Sequence, residues 1–372
     1  MRTLPLLVAL FLLSAWAFPT GAEIGPECGL NAGVNLVGFD TTSGDALFSL
    51  PALEGGSYLV EWRQGAARAR RFREDQELGR FGGSIGPGPV FALSRCGPGC
   101  LQPLARDRGR WEPLGEPILA QQAATVHGTY DLVGRPWVVI HGSAARAGFV
   151  TAWAFRLEGQ EWRPAGRLEV TAVAVPGALP APWLPEAVIS GSGLFPAEGE
   201  ARPWVSGLPA GRAGSGAQVV PFDRRAAVFL TPEGSVYRSA DAGESWHLTA
   251  WRPWETGTAE PWRRGTDYSL DLPLGVPSAA LPVLWFDRRL EGREMLLYTE
   301  MSPTGSWRHV AEGPARLPTS AGEDLAVSLV LQGPGRRWST LFGCVVSGGK
   351  PRLVVVEVTG GKVSETKLIA LE

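Results

Sequence analysis

The chain has 372 residues, of which 44% are hydrophobic, enough to bury a sizeable core. Its 35 basic and 37 acidic side chains nearly cancel, which excludes the basic surface that general nucleic-acid binding requires and the high net charge of disordered chains. The 48 Gly, 31 Pro and 15 Trp predict many short strands joined by tight turns. Met1 and Arg2 precede an apolar run from Leu4 to Phe18, with cleavage signals at Ala15-Trp16-Ala17, near its end, and at Thr20-Gly21-Ala22, just after it. This pattern predicts a cleaved signal peptide over 1–22 and a single exported domain over 23–372. No later run is long enough to span a bilayer, so no transmembrane segment is expected after cleavage. Periplasm and extracellular medium are not distinguished.

Four cysteines follow: Cys28, Cys96, Cys100 and Cys344. In an exported chain an even number implies disulfides, with three possible connectivities. Cys96-Gly97-Pro98-Gly99-Cys100 is a tight loop able to close on itself, which leaves Cys28 with Cys344, joining the two ends of the domain. A zinc site from all four thiolates would want paired C-x2-C knuckles, and the chain has one C-x3-C. His127, His141, His247 and His309 show no metal-ligand spacing either, so neither metal nor cofactor is expected.

Beyond the cysteines, period-2 apolar runs bounded by Gly and Pro dominate. Arg68, Arg70, Arg71 and Arg73, before Glu74 and Asp75, alternate as on a solvated outer edge strand, where charge discourages edge pairing. A recurrent theme sets a Gly turn before a Trp that opens the next strand: Gly109-Arg110-Trp111, Gly159-Gln160-Glu161-Trp162, Gly243-Glu244-Ser245-Trp246 and Gly305-Ser306-Trp307. Repeats of roughly 40–60 residues with four short strands predict a β-propeller. Phe222-Asp223-Arg224-Arg225 and Phe286-Asp287-Arg288-Arg289 also look alike, but fall at different strand positions.

One segment is more specific. Ser239-Ala240-Asp241-Ala242-Gly243-Glu244-Ser245-Trp246 fits the pattern S-x-D-x-G-x-[ST]-W throughout and follows a strand-like Ser235-Val236-Tyr237-Arg238. Here the chain resembles the Asp-box (BNR-repeat) β-propellers of the sialidase-like superfamily, as a non-catalytic member. Ser302–Trp307 and Asp107–Trp111 read as decayed copies. The resemblance implies an all-β, six- or seven-bladed β-propeller of four-stranded antiparallel blades. It also implies structural roles for Ser239, Asp241, Gly243 and Trp246 in a turn between third and fourth strands, on the face opposite any active site. The blades then fall at roughly 34–75, 80–115, 126–166, 167–212, 216–250, 276–313 and 324–372, the fourth with unclear strands. A Cys28–Cys344 bond would stitch the seam between first and last blades.

Ligand sites in such folds lie where loops converge, on the face opposite the Asp-box turn. No clear strand appears between Trp251 and about Ser278, and loops that long are usually functional or disordered. This one carries Trp254, Trp262, Arg263, Arg264, Asp267 and Tyr268, flat aromatics with forked cations and a carboxylate suited to sugars or acidic ligands. The Cys96–Cys100 loop with Arg95, and Arg146 and Arg293, fall on the same predicted face. A sialidase would add three Arg, a Tyr nucleophile with a Glu, and an Asp acid. The early Arg-Ile-Pro signature of sialidases is absent, and so are a Gly-x-Ser-x-Gly elbow and a Ser-His-Asp order. No catalytic residue is therefore assigned. The expected function is an exported, monomeric propeller binding a glycan or protein. The alternatives are a divergent sialidase-like glycosidase using Tyr268 with Arg263 or Arg264, and an envelope assembly factor.

Overall fold

Successive apolar runs fold into antiparallel meanders because short Gly- and Asp-bearing turns return each strand beside the one before it. The computed structural model describes residues 22–23, 35–40, 42–51, 57–63, 66–72, 83–107, 110–120, 125–146, 149–171, 178–205, 218–221, 225–230, 236–241, 243–248, 281–290, 293–301, 307–314, 316–318, 324–326, 329–333, 337–347, 350–359 and 362–371. Among these residues every regular element is a strand, and no helix is long and apolar enough to cross a membrane.

After a two-residue β1 (Ala22–Glu23), the first meander is β2 (Asn35–Asp40), β3 (Ala46–Pro51), β4 (Ser57–Arg63) and β5 (Ala66–Phe72). The second begins with β6 (Ser84–Gly86), which meets β7 only through an isolated bridge from Gly83 to Ala92, and its sheet comprises β7 (Phe91–Gly97) and β8 (Cys100–Asp107), with β9 (Arg110–Pro113) and β10 (Ile118–Leu119) on the same partner, β8. The third is β11 (Thr125–Tyr130), β12 (Pro136–Ser143), β13 (Phe149–Glu158) and β14 (Glu161–Thr171). The fourth is β15 (Ala178–Pro180), β16 (Ala187–Ser190), β17 (Gly193–Pro196) and β18 (Arg202–Pro203). The fifth is β19 (Gln218–Pro221), β20 (Ala227–Leu230), β21 (Val236–Ser239) and β22 (His247–Leu248). Then come β23 (Leu281–Leu290), β24 (Arg293–Met301) and β25 (Trp307–Pro314), and a two-stranded pair, β26 (Arg316–Pro318) and β27 (Asp324–Ala326). The last sheet is β28 (Leu329–Gly333), β29 (Arg337–Ser347), β30 (Lys350–Thr359) and β31 (Lys362–Ala370).

Two boundaries differ from the sequence reading. The third meander runs to Thr171 rather than 166, because β14 continues past a bulge opposite Ala154 and Phe155. The stretch expected to hold unclear strands contains four, packed so tightly that every residue of β16 and β17 is buried. Their near-continuous apolar runs lack the period-2 signal because both faces are covered.

The first four sheets are covered on both faces in this way. Phe48, Leu50, Tyr58, Val60 and Trp62 of the first sheet pack on Cys344, Leu353, Val355 and Ile369 of the last. On its other face Leu47 and Leu59 meet Ala92 and Trp111 of the second. Phe91, Leu93 and Ile118 meet Val126, Val138 and Ile140 of the third. Trp137, Val139 and Ala154 meet Val188 and Phe195 of the fourth. Ile189, Leu194 and Trp204 meet Val219 and Phe229 of the fifth. β25 lies against β30 and β31. A bulge at Val37 lets Leu36 and Phe39 face the last sheet while Val37 faces the second. Glu61 of β4 forms an ion pair with Arg106 of β8 across the first interface.

First strands approach one another closely: β6 pairs in parallel with β2 on one side and β11 on the other. Glycine permits this. A Cβ on Gly83 would sit 2.3 Å from the Val37 carbonyl oxygen, and one on Gly128 would sit 2.6 Å from the Phe91 ring. At the other end of the chain β1 pairs with β29, Ala22 opposite Ser347 and Glu23 opposite Val346. Cys344, also on β29, is disulfide-bonded and buried, whereas Cys28 lies outside the described residues.

Gly128→Ala places a methyl group against a fully buried aromatic ring. It is expected to cost about 1–3 kcal/mol, as overpacked core substitutions do. Thermal unfolding should show a lower Tm for Gly128→Ala, and an unchanged Tm for Gly134→Ser is not expected, since that turn holds a φ of 85°.

Candidate functional site

The sheets present two ends with different chemistry. At one end lie the turns from first to second and from third to fourth strands, where short acidic side chains bind the backbone. In the turn between β21 and β22, Asp241 Oδ1 accepts the Ser239 hydroxyl at 2.7 Å and the Ser245 amide at 2.9 Å, and Oδ2 accepts the Ser245 hydroxyl. Ser239 Oγ in turn accepts the Gly243 amide at 2.7 Å. Gly243 holds a φ of 83°, a left-handed conformation that glycine adopts without strain. Trp246 leaves the turn to pack on Phe229, ring centroids 5.8 Å apart. The Ser245 hydroxyl and amide, then Ser239, hold the Asp241 carboxyl down at about 2. Asp241 is thus an ionised turn acceptor, without the raised affinity for protons that a general acid needs.

Two further turns use an Asp in this way; the sequence marked a turn over Thr41–Gly44 but assigned no role to Asp40 or Asp131. Asp40, ending β2, accepts the Thr42 amide at 2.8 Å and the Ser43 hydroxyl at 2.8 Å. Asp131, after β11, accepts the Val133 and Arg135 amides at 3.1 and 2.9 Å and the Trp137 indole at 3.0 Å. Each follows an aromatic residue, Phe39 or Tyr130, at the end of a first strand; Phe222-Asp223 directly follows β19, another first strand, and Phe286-Asp287 lies within β23. The aromatic–Asp pair was the available signal.

At the opposite end lie the connections from second to third strands. Cys96 and Cys100 are bonded across the β7–β8 hairpin, as their spacing predicted. Arg95 is exposed beside them. Arg146, between β12 and β13, sets its guanidinium 4.1 Å from the centre of the Phe149 ring. Arg293 is the first residue of β24. Below this end, His127 of β11 and His141 of β12 stand edge-to-face with centroids 5.3 Å apart. His141 Nε2 lies 2.9 Å from Ser190 Oγ on the fourth sheet, and its Nδ1 lies 3.5 Å from Thr125 Oγ1. Burial, and repulsion from His141, push His127 down to about 3; burial pushes His141 down to about 4. The cluster offers neutral donors and acceptors, suited to hydroxyl-rich ligands rather than to charge transfer. No group of three His, Cys, Asp or Glu able to hold a metal occurs among the described residues.

Trp254, Trp262, Arg263, Arg264, Asp267 and Tyr268 lie outside the described residues. The four Trp that mark the sequence repeat do have a common place: Trp111, Trp162 and Trp307 open or nearly open β9, β14 and β25, and Trp246 immediately precedes β22. β14, β22 and β25 are the last strands of their sheets, and β9 is followed only by the two-residue β10. Trp111, Trp162 and Trp246 pack toward the preceding sheet, and the Trp162 indole donates to the Leu114 carbonyl at 2.8 Å.

No protein-family model matches the chain, and no curated protein matches it. Among solved structures, AofleA from Arthrobotrys oligospora is 12% identical, with 93% of this chain and 88% of that chain covered and a TM-score of 0.43. The Aleuria aurantia lectin, described as a six-bladed β-propeller with a novel fucose recognition mode, is 10% identical, with coverage of 92% and 97% and a TM-score of 0.39. The β-propeller domain of the Trilobed protease from Pyrococcus furiosus, described as having an open velcro topology, is 9% identical, with coverage of 91% and 96% and a TM-score of 0.49.

The histidine pair predicts a defined acid sensitivity. Both side chains bind protons less readily when folded than the unfolded reference near 6.5, so their stabilising contribution is complete above that pH. It is lost as pH falls from about 6.5 toward 4 and 3. In this window each histidine should contribute a slope of up to about 1.4 kcal/mol per pH unit. Urea unfolding at pH 7.5, 6.0 and 5.0 should show this slope, reduced in His141→Asn; a slope unchanged by that substitution would refute the assignment.

Proposed function

We propose that the chain is an exported, non-catalytic β-propeller of the Asp-box type, with six or seven blades, that binds a glycan or protein ligand through the second-to-third-strand face. Several features support the propeller reading: the first five sheets pack face to face in succession and the last packs on the first, the first strands β2, β6 and β11 lie side by side and parallel, and β1 joins the last sheet. A bonded Cys96–Cys100 pair and a bonded Cys344 favour an oxidising compartment. The observation that carries the functional reading is the contrast between the two ends. Asp241 and Asp131 are consumed by backbone and indole donors at one end, while the other carries exposed Arg95 and Arg146 over neutral imidazoles and hydroxyls. Such a surface binds without supplying an acid and a base. The loop over 251–277 supplies the ligand-contacting Trp254, Trp262, Arg263, Arg264, Asp267 and Tyr268 in this reading.

The test is a panel of neutral and acidic saccharides, including α-methyl fucoside and sialosides, run for binding and for hydrolysis of the matching aryl glycosides. We expect binding without turnover. Trp254→Ala and Arg263→Gln/Arg264→Gln should each weaken it at least tenfold, about 1.4 kcal/mol, with unchanged far-UV circular dichroism. Hydrolysis of an aryl sialoside that Tyr268→Phe abolishes would replace this reading with that of a glycosidase.

A further inference from the structure

The polar recess beneath the loop face, between the third and fourth sheets, has groups that are only partly matched. Thr125 and His127 stand two residues apart on β11, so their side chains share one face of that strand. His141 lies directly across the ladder from Thr125. It is committed on both sides: Nε2 lies 2.9 Å from Ser190 Oγ of β16, and Nδ1 lies 3.5 Å from Thr125 Oγ1. His127 is different. It is half-buried and edge-to-face with His141, and among the described residues neither of its ring nitrogens has a hydrogen-bond partner. Both nitrogens remain within reach of solvent. Thr125 is exposed, so the recess opens toward the loop face. A half-buried polar group that the protein leaves unmatched is completed by water or by a ligand.

Resting on the loop-face reading above, we propose that His127 contacts the ligand and that this ligand is a neutral saccharide, held through its hydroxyl groups. A neutral imidazole carries one N–H donor and one bare nitrogen acceptor. A sugar hydroxyl donates and accepts as well, so it can meet either nitrogen. A carboxylate or sulfate only accepts, and is matched by an imidazolium rather than an imidazole. The recess does not favour the imidazolium. Among the described residues no carboxylate acts on either ring, and the polar neighbours of the two rings are each other and two hydroxyls. A second positive charge would meet the first across the edge-to-face contact. His141 is already spoken for by Ser190 and Thr125, which leaves His127 as the ring with free bonding capacity.

The full chain is titrated by calorimetry with the methyl glycosides of mannose, galactose and fucose, and with sialyllactose and galacturonate as acidic probes. At least one neutral glycoside should bind, and both acidic probes should bind more weakly by about tenfold or more. His127→Phe keeps a flat ring but removes both nitrogens, and should weaken that binding about tenfold, the loss expected of one or two hydrogen bonds. His127→Gln restores a donor and an acceptor, and should stay within about threefold of the parent. Should His127→Phe fail to fold, the unaltered chain gives the same answer: the bound glycoside should protect His127, and not the exposed His247, from diethyl pyrocarbonate. Neutral binding that is unchanged in His127→Phe but weakened in Trp254→Ala would overturn this proposal and leave the loop-face reading standing. Binding of the acidic probes alone would do the same. Absence of binding to every neutral glycoside would also overturn it, and would leave the loop face a protein ligand only.

Discussion

The first four sheets each have two apolar faces, and that constraint shapes much of the rest. A sheet with one wet face needs one neighbour; these need two. At roughly 25 cal/mol per Å², a bare face lined by residues such as Phe48, Val60 and Trp62 would forfeit several kcal/mol. A simple stack would leave such a face at each end. Instead the last sheet packs on the first through Cys344, Leu353, Val355 and Ile369, so the series turns back on itself. The close parallel approach of β2, β6 and β11 is the geometric counterpart, because strands converging on one line have no room for side chains at Gly83 and Gly128.

Much of the architecture was legible because its signals are local. Gly turns followed by Trp mark the opening of last strands, and the same indoles fill the gaps between sheets. The Cys96–Cys100 spacing alone dictated its closure. The fourth meander was hidden because β16 and β17 are buried on both faces and so carry no alternation. The accepting roles of Asp40 and Asp131 escaped notice, even where the Thr41–Gly44 turn itself was read, because each depends on one side chain accepting from amides two to four residues on, a pattern spread across residue types that vary freely.

The acidic turns and the histidine pair illustrate opposite ways of managing polar groups. Asp131 is fully buried, and amide and indole donors occupy its carboxyl oxygens. His127 and His141 have hydroxyls and each other for company, and so remain neutral. Neither arrangement resembles the paired carboxylates of glycoside hydrolysis, where one acid is kept protonated beside an ionised partner.

The pairing of β1 with β29 has a mechanical consequence. Residues 22–23 and 362–370 belong to one sheet, on opposite edges of the β29–β30 pair. A pulling force applied between these segments is carried across that sheet alone, transverse to the other meanders, which stay unloaded until it gives way. Tension between an anchored end and a bound ligand would instead pass through the interfaces between sheets. The same molecule would therefore yield at different forces depending on where it is held.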